Sequence, residues 1–243
     1  MRIASLGSSS KGNAYLIGDR KTRILLECGL SYKELQKRAG FDLARLQGCL
    51  VSHEHKDHSL SVRRVAESGV PVYMSRGTAE ALELPETVFS LLEEIRAGEQ
   101  FTVGTLDVMP FETYHDAAEP LGFLIQSKED GDILAFATDT VNLPYTFPGV
   151  NILAVEANYE KGLLERCGRM PESTKHRIEN THMEIEKLLE CLRGMELGRC
   201  RQIYLCHLSD ASGDEESFCW RVWKTTGIRT EAFPRDGKFK KNF

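Results

Sequence analysis

One hexapeptide constrains this chain more than any other: His53-Glu54-His55-Lys56-Asp57-His58. It follows directly on the apolar stretch 48–52, which reads as a short buried strand. In a turn at a strand end, alternate side chains converge. His53 and His55 can then share one ion, and Asp57 and His58 can point at a second. Imidazole and carboxylate together suit borderline divalent metals such as zinc, manganese or iron. Alone, the run could equally be a polar surface loop.

The remaining histidines weigh against that blander reading. The chain has only seven. His115 ends the strand-like stretch 106–114, Asp139 follows the buried stretch 133–138, and His207 ends the buried stretch 202–206. Each is a metal-ligand type at a strand end, where sites in layered folds gather.

The flanking pattern supplies the layers. Residues 1–6, 14–18 and 23–27 read as short strands divided by Gly, Ser, Asn and Asp. Ser31 and Glu34 form a capping box, so a helix is expected after Ser31. A helix is expected over 61–68, a strand over 70–74 and a helix over 78–84. Strands follow at 101–103, 106–114, 122–127, 133–138, 152–156 and 202–206. The turn Glu129-Asp130-Gly131-Asp132 suits a hairpin. Residues 161–177 look irregular. Thr181 and Glu184 suggest a capping box opening a helix, with Ile185, Leu188, Leu189 and Leu192 on one face. Two β-rich halves with helices predict an α/β (α+β) sandwich of two mixed sheets with helices outside, built as one domain over 1–243.

The series His53-x-His55-x-Asp57-His58, His115, Asp139, His207 resembles the ligand series of the metallo-β-lactamase superfamily. The resemblance spans almost the whole chain. It implies an αββα sandwich with the site at one edge and two divalent ions per chain. By position, His53, His55 and His115 would hold the first ion. Asp57, His58 and His207 would hold the second, and Asp139 would bridge them. Water activated between the ions would attack the substrate, with Asp57 also orienting it.

Several stretches narrow the branch. Residues 5–14 (Ser-Leu-Gly-Ser-Ser-Ser-Lys-Gly-Asn-Ala), 54–58, 115–122 and Thr138-Asp139-Thr140 resemble the YycJ/WalJ-type exonucleases. That branch implies a 5′→3′ exonuclease acting on DNA. A kinship with the tRNA 3′-processing branch implies that Glu156 and His182 assist cleavage. A small-molecule phosphodiesterase, a tRNA 3′-processing-like endoribonuclease and a non-hydrolytic metal-binding module are the competing readings. Two departures stand out. Glu27-Cys28-Gly29 replaces the usual Asp-Cys-Gly, and residues 208–213 lack an expected Asn. Both bear on which substrate is taken and are expected to leave the ligands untouched.

Candidates for substrate contact are softer. His182, placed in a first helical turn after Thr181, could meet a phosphate oxygen or protonate a leaving oxygen, or be an ordinary capping-turn histidine. His176 reads as exposed surface. Ser8, Ser9, Ser10, Asn13 and Asn158 could donate to phosphate or simply build tight turns. Residues 161–177 carry Lys161, Arg166, Arg169, Lys175 and Arg177 against only Glu165 and Glu172, a strip able to neutralise phosphates. Lys238, Lys240 and Lys241 form another. The acidic stretch 83–99 should face away from nucleic acid.

Bulk properties set limits. A net charge of −5 gives no global pull on nucleic acid, so local basic patches must hold it. The seven cysteines include no Cys-x-x-Cys pair, which suits reduced thiols and a cytoplasmic setting. No signal peptide or membrane span is expected, and no obligate protein partner is evident.

Overall fold

The computed structural model describes residues 1–40 and 43–235. Among these, thirteen strands form two sheets. The first sheet runs in chain order: β1 (Arg2–Gly7), β2 (Ala14–Gly18), β3 (Arg23–Leu26), β4 (Gly48–Leu50), β5 (Val72–Met74) and β6 (Leu92–Glu94). Its first three strands are antiparallel, and β3 to β6 are parallel. Helices α1 (Tyr32–Arg38), α2 (Lys56–Ser59), α3 (Val62–Glu67), α4 (Arg76–Ala81) and α5 (Glu86–Phe89) lie between them in sequence.

The second sheet contains β7 (Phe101–Val103), β8 (Leu106–Glu112), β9 (Leu121–Ser127), β10 (Ile133–Ala137), β11 (Ile152–Glu156), β12 (Gln202–Cys206) and β13 (Thr230–Ala232), in reverse spatial order. Its strands are antiparallel up to β10 and parallel from β10 to β13. The helices here are α6 (Lys161–Arg166), α7 (Glu172–Thr181), α8 (Ile185–Gly194) and α9 (Glu215–Thr226).

Strand periodicity sorts the side chains into three apolar layers. Tyr15, Ile17, Ile24, Leu26 and Leu50 meet Phe123, Ile125, Leu134 and Phe136 between the sheets. Their neighbours Leu16, Leu25 and Cys49 face the other way, against Leu35, Val62 and Val65 of the first helical layer. Ala135, Leu153, Val155, Ile203 and Leu205 do the same against α8 and α9. The result is the expected αββα sandwich. Phe136 is fully buried and meets Tyr15 edge-on at 5.3 Å. Phe136→Ala should cost about 3–5 kcal/mol in denaturant unfolding. Trp220→Ala, at a ring 54% exposed, should shift the same curve little.

Three local expectations are corrected. Residues 161–177 are largely helical, as α6 and the first part of α7. α7 buries only Thr181, so it carries no apolar stripe to read. Thr181 does not cap the following helix. Its hydroxyl donates back to Arg177 O, inside the last turn of α7, and Glu184 caps α8 by accepting from Glu186 and Lys187 N–H groups. Segment 215–226, given no element from sequence, is α9. Its signals were present: Asp214 accepts from Ser217 N–H at the start, and Gly227 ends it at φ 72°. No described helix is long and apolar enough to cross a membrane. The cysteines carry no disulfide.

Candidate metal centre

The site forms at the carboxyl ends of the strands. β4 runs into His53–His58, β8 leads to His115, and β10 leads to Asp139. β11 ends on Glu156 and β12 delivers His207. Glu27, Asp139 and His207, each just beyond a strand, hold φ angles of 60°, 44° and 54°. Side chains other than glycine rarely adopt this left-handed backbone, and holding one there costs on the order of 1–3 kcal/mol. The bend carries each residue off its strand and towards the cluster. Three such bends around one point favour function over stability.

The hexapeptide is clamped from below. His55 precedes α2, so Asp57 and His58 project from its first turn. Cys28 N–H donates to His58 O and Asn13 N–H to Asp57 O, each at 2.8 Å. Gly29 permits this approach, because a Cβ there would sit 1.7 Å from Asp57 O. On the far side, Glu54 accepts from Ala118 N–H at 2.8 Å and Glu119 from Gly77 N–H at 2.7 Å, which ties down the loop after His115.

Three overlapping donor groups result. Nitrogens of His53, His55 and His115 gather in one; Asp57, His58, Asp139 and His207 gather in a second; Asp139 and His207 also gather with Glu156 and His182 in a third. His55 Nδ1 lies 3.1 Å from His115 Nε2. Asp139 Oδ2 lies 3.9 Å from His53, 3.4 Å from His58 and 3.6 Å from His115, while its Oδ1 is 2.6 Å from His207 Nδ1. One buried carboxylate therefore faces all three groups. Asp57 Oδ2 lies 3.4 Å from His58 Nε2 and 3.3 Å from His207 Nε2.

The donor chemistry fits a divalent cation. Asp139, His53, His58 and His207 are all nearly fully buried. Yet His53 Nε2, His58 Nδ1 and both His207 nitrogens make no well-formed hydrogen bond, although Asp139 Oδ1 lies 2.6 Å from His207 Nδ1. Buried polar atoms are normally satisfied, so orphaned imidazole nitrogens call for an ion. The outer nitrogens are oriented: His115 Nδ1 lies 2.7 Å from Thr181 O, and His53 Nδ1 lies 2.8 Å from Ser52 Oγ. That leaves Nε2 of each directed inward.

Electrostatics point the same way. Burial raises the carboxyls of Asp139 and Asp57, but His207 and His58 overcome it and hold both well below the usual carboxylate range. Burial pushes down His53 and His115, which keeps them neutral and ready to ligate. Burial also works against His58 and His207, but Asp139 pulls both well above an ordinary imidazole. A divalent cation placed there would answer the same carboxylate field.

Glu27, expected to leave the ligands untouched, stands directly behind one of them. It is fully buried, its carboxylate accepts from Ser52 N–H, and its Oε2 is 3.5 Å from His58 Nδ1. Carboxylates behind ligand histidines fix ring orientation. Glu27→Gln should weaken metal affinity about 10–100-fold, read by chelator competition, with far-UV circular dichroism unchanged.

The softer candidates separate in space. His182 caps the C-terminus of α7 in extended backbone, which corrects its placement at a helix N-terminus. The strip after it pairs with 158–159, through Asn158 N–H to Met183 O and Ile185 N–H to Tyr159 O. That pairing sets His182 Nδ1 2.6 Å from Glu156 Oε1 and 3.9 Å from Asp139 Oδ2. Glu156 is fully buried and also accepts from Thr140 and Met183 N–H groups.

Ser8, Asn13 and Asn158 spend their polar groups near ligands. Ser8 Oγ accepts from His207 N–H, Asn13 Nδ2 approaches Asp57 and His58, and Asn158 donates to His207 O. Ser9 is buried in its turn, and Ser10 is exposed. Lys175 donates to Glu165 O and Glu172, at the α6–α7 joint. Arg177 is exposed and donates to Asp116, beside His115. His176 is exposed, next to Asn180. The acidic stretch 83–99 includes α5 and β6, two strands from β4. Lys238, Lys240 and Lys241 lie outside the described residues.

Known proteins resemble this chain in sequence and in fold. Residues 22–208 match the family model described as a β-lactamase superfamily domain. The chain is 30% identical to exodeoxyribonuclease YycJ of Bacillus anthracis, over 86% of this chain and 83% of that protein. It is 28% identical to exodeoxyribonuclease WalJ of Streptococcus pneumoniae, over 88% of this chain and 84% of that protein. The crystal structure of Zn²⁺-bound PqqB from Methylobacterium extorquens superposes with a TM-score of 0.73 at 15% identity, covering 98% of both chains.

Proposed function

The chain belongs to the β-lactamase superfamily and is a metal-dependent hydrolase, and from that premise we propose that it hydrolyses DNA phosphodiester bonds as a 5′→3′ exonuclease. His53, His55 and His115 would hold one divalent ion, zinc, manganese or iron. Asp57, His58 and His207 would hold a second, with Asp139 between them. Bound there, two such ions lower the pKa of water and offset phosphoryl charge. The other steps fall to the protein. Asp57 keeps a carboxylate oxygen towards the attacking water. Glu156 fixes His182 through Nδ1, which leaves Nε2 to face substrate.

One observation carries the reading: the buried donor set opens beside an imidazole backed by a buried carboxylate, His182–Glu156 at 2.6 Å. Burial opposes protonation of His182, but Glu156 raises it above an ordinary imidazole. A protonated imidazole at that place can hold a phosphoryl oxygen or give its proton to a departing alkoxide. The donor groups consist of histidines and carboxylates and include no cysteine. The similarity to two exodeoxyribonucleases along most of the chain supports DNA as the substrate.

The test begins with metal analysis of purified protein. The loaded protein is then given 5′-phosphorylated duplex DNA with manganese, an RNA with a 3′ extension, and bis-p-nitrophenyl phosphate. Stepwise release of nucleotides from the 5′ end is the expected result. Turnover of the small ester with intact DNA overturns the nuclease reading. Internal cleavage of the RNA alone moves the protein to the endoribonuclease class.

A further inference from the structure

Two exposed clusters of opposite charge flank the donor set. On the side of the His53–His55–His115 group, Arg177 Nε donates to Asp116 Oδ2 at 2.7 Å, and Asp116 Oδ1 is 3.2 Å from His115 Nε2. Arg177 stands one turn before Thr181, whose carbonyl orients the same histidine. On the side of the second group, Asp210 is shared by Lys11 at 3.0 Å and Arg235 at 2.5 Å. Lys11 belongs to the loop whose Ser8 accepts from His207 N–H and whose Asn13 approaches Asp57. Asp210 follows His207 by three residues, and Arg235 also donates to Ser209 O. The Lys11 side chain is 82% exposed and that of Arg177 56%.

We propose that these cations are phosphate subsites on opposite edges of the site, and that Asp116 and Asp210 occupy them as placeholders until a polynucleotide strand crosses between them. The inference rests on the nuclease reading and adds that the substrate is a strand engaged on both sides of the cleaved bond. Exposed ion pairs are weak, so a backbone phosphate can take the carboxylate's place. A guanidinium accepts either anion in the same bidentate fashion. In a protein of net charge −5, phosphate attraction has to be local. A carboxylate on each cation suppresses idle anion binding between encounters. A mononucleotide ester would span neither edge.

The test uses metal-loaded protein and a fluorescein-labelled single-stranded oligodeoxynucleotide with phosphorothioate linkages, which keep the charge and resist hydrolysis. Fluorescence polarisation gives affinity across a salt series. The double variant Lys11→Ala/Arg235→Ala and the variant Arg177→Ala should each bind about tenfold more weakly. Each should lose about 0.7 of salt slope per phosphate contact removed. Asp210→Asn should bind several-fold more tightly, because it releases two cations and removes a negative charge; a pair serving only the fold predicts no gain. Melting temperature and metal content report folding, and Lys11→Arg/Arg235→Lys should restore binding. A strand that binds equally well to all variants overturns the proposal, as does weaker binding by Asp210→Asn. If the wild-type protein binds the strand in this pattern but releases no nucleotide from DNA, the nuclease reading fails and the track stands.

Discussion

Asp139→Asn should strip bound metal from the protein and lower DNA hydrolysis by roughly 10³-fold or more, beyond the 10–100-fold of an outer partner. Asp139 is 2% exposed and its two oxygens face His53, His58, His115, His182 and His207 within 3.9 Å. Removing its charge leaves Asp57 as the one ligand carboxylate beside the five ligand histidines, too little to balance two dications. Asn is the right replacement because it tolerates the φ of 44° that Ala would resent. The loss then reports charge and ligation, with backbone strain held constant. Metal content by mass spectrometry and turnover on the same preparation check it. Two ions retained with wild-type turnover would remove Asp139 from the centre.

The second large effect separates His182 from the ligands. His182→Ala should reduce kcat on DNA about 10²–10⁴-fold, the usual worth of a general acid, with KM and metal content near wild type. The same variant should lose far less on bis-p-nitrophenyl phosphate, because nitrophenolate leaves without a proton. A histidine that only stiffened the loop would slow both substrates alike. Glu156→Gln should follow the same split less steeply, since it keeps the ring nearby and removes the charge that sustains its proton.

The parts legible from sequence were those with a local signature. His53–His58 stands out because ligand residues sit within six positions after an apolar strand. His115, Asp139 and His207 could be placed because each ends a strand whose hydrophobicity alone announces it. The two-sheet sandwich followed from two β-rich halves with helices; that Leu134 and Phe136 face one way and Ala135 and Ala137 the other shows only in the structure, because β10 is apolar throughout. α7 was illegible for the opposite reason. Ten residues with one buried side chain leave no period to detect.

His182 shows the limit most clearly. A Thr–Glu spacing suggested a helix start, yet Thr181 closes one helix and Glu184 opens the next. Nothing within a few residues decides between those two uses. Pairing of 183–185 against 158–159 decides it, and that contact joins distant segments. Glu27 was set apart from the ligands for a related reason. Its role depends on β3 and β4 being neighbours, which puts its carboxylate under Ser52 N–H and beside His58.

By itself, the sequence determined the donor chemistry and the layers, since ligand type and hydrophobic period are written residue by residue. The tertiary structure decided which side chains serve the ligands. Ser8, Asn13, Glu27 and Asn158 look alike in a string of polar residues. Their roles arise only when strand ends from two sheets converge, and burial leaves each polar group one partner to find.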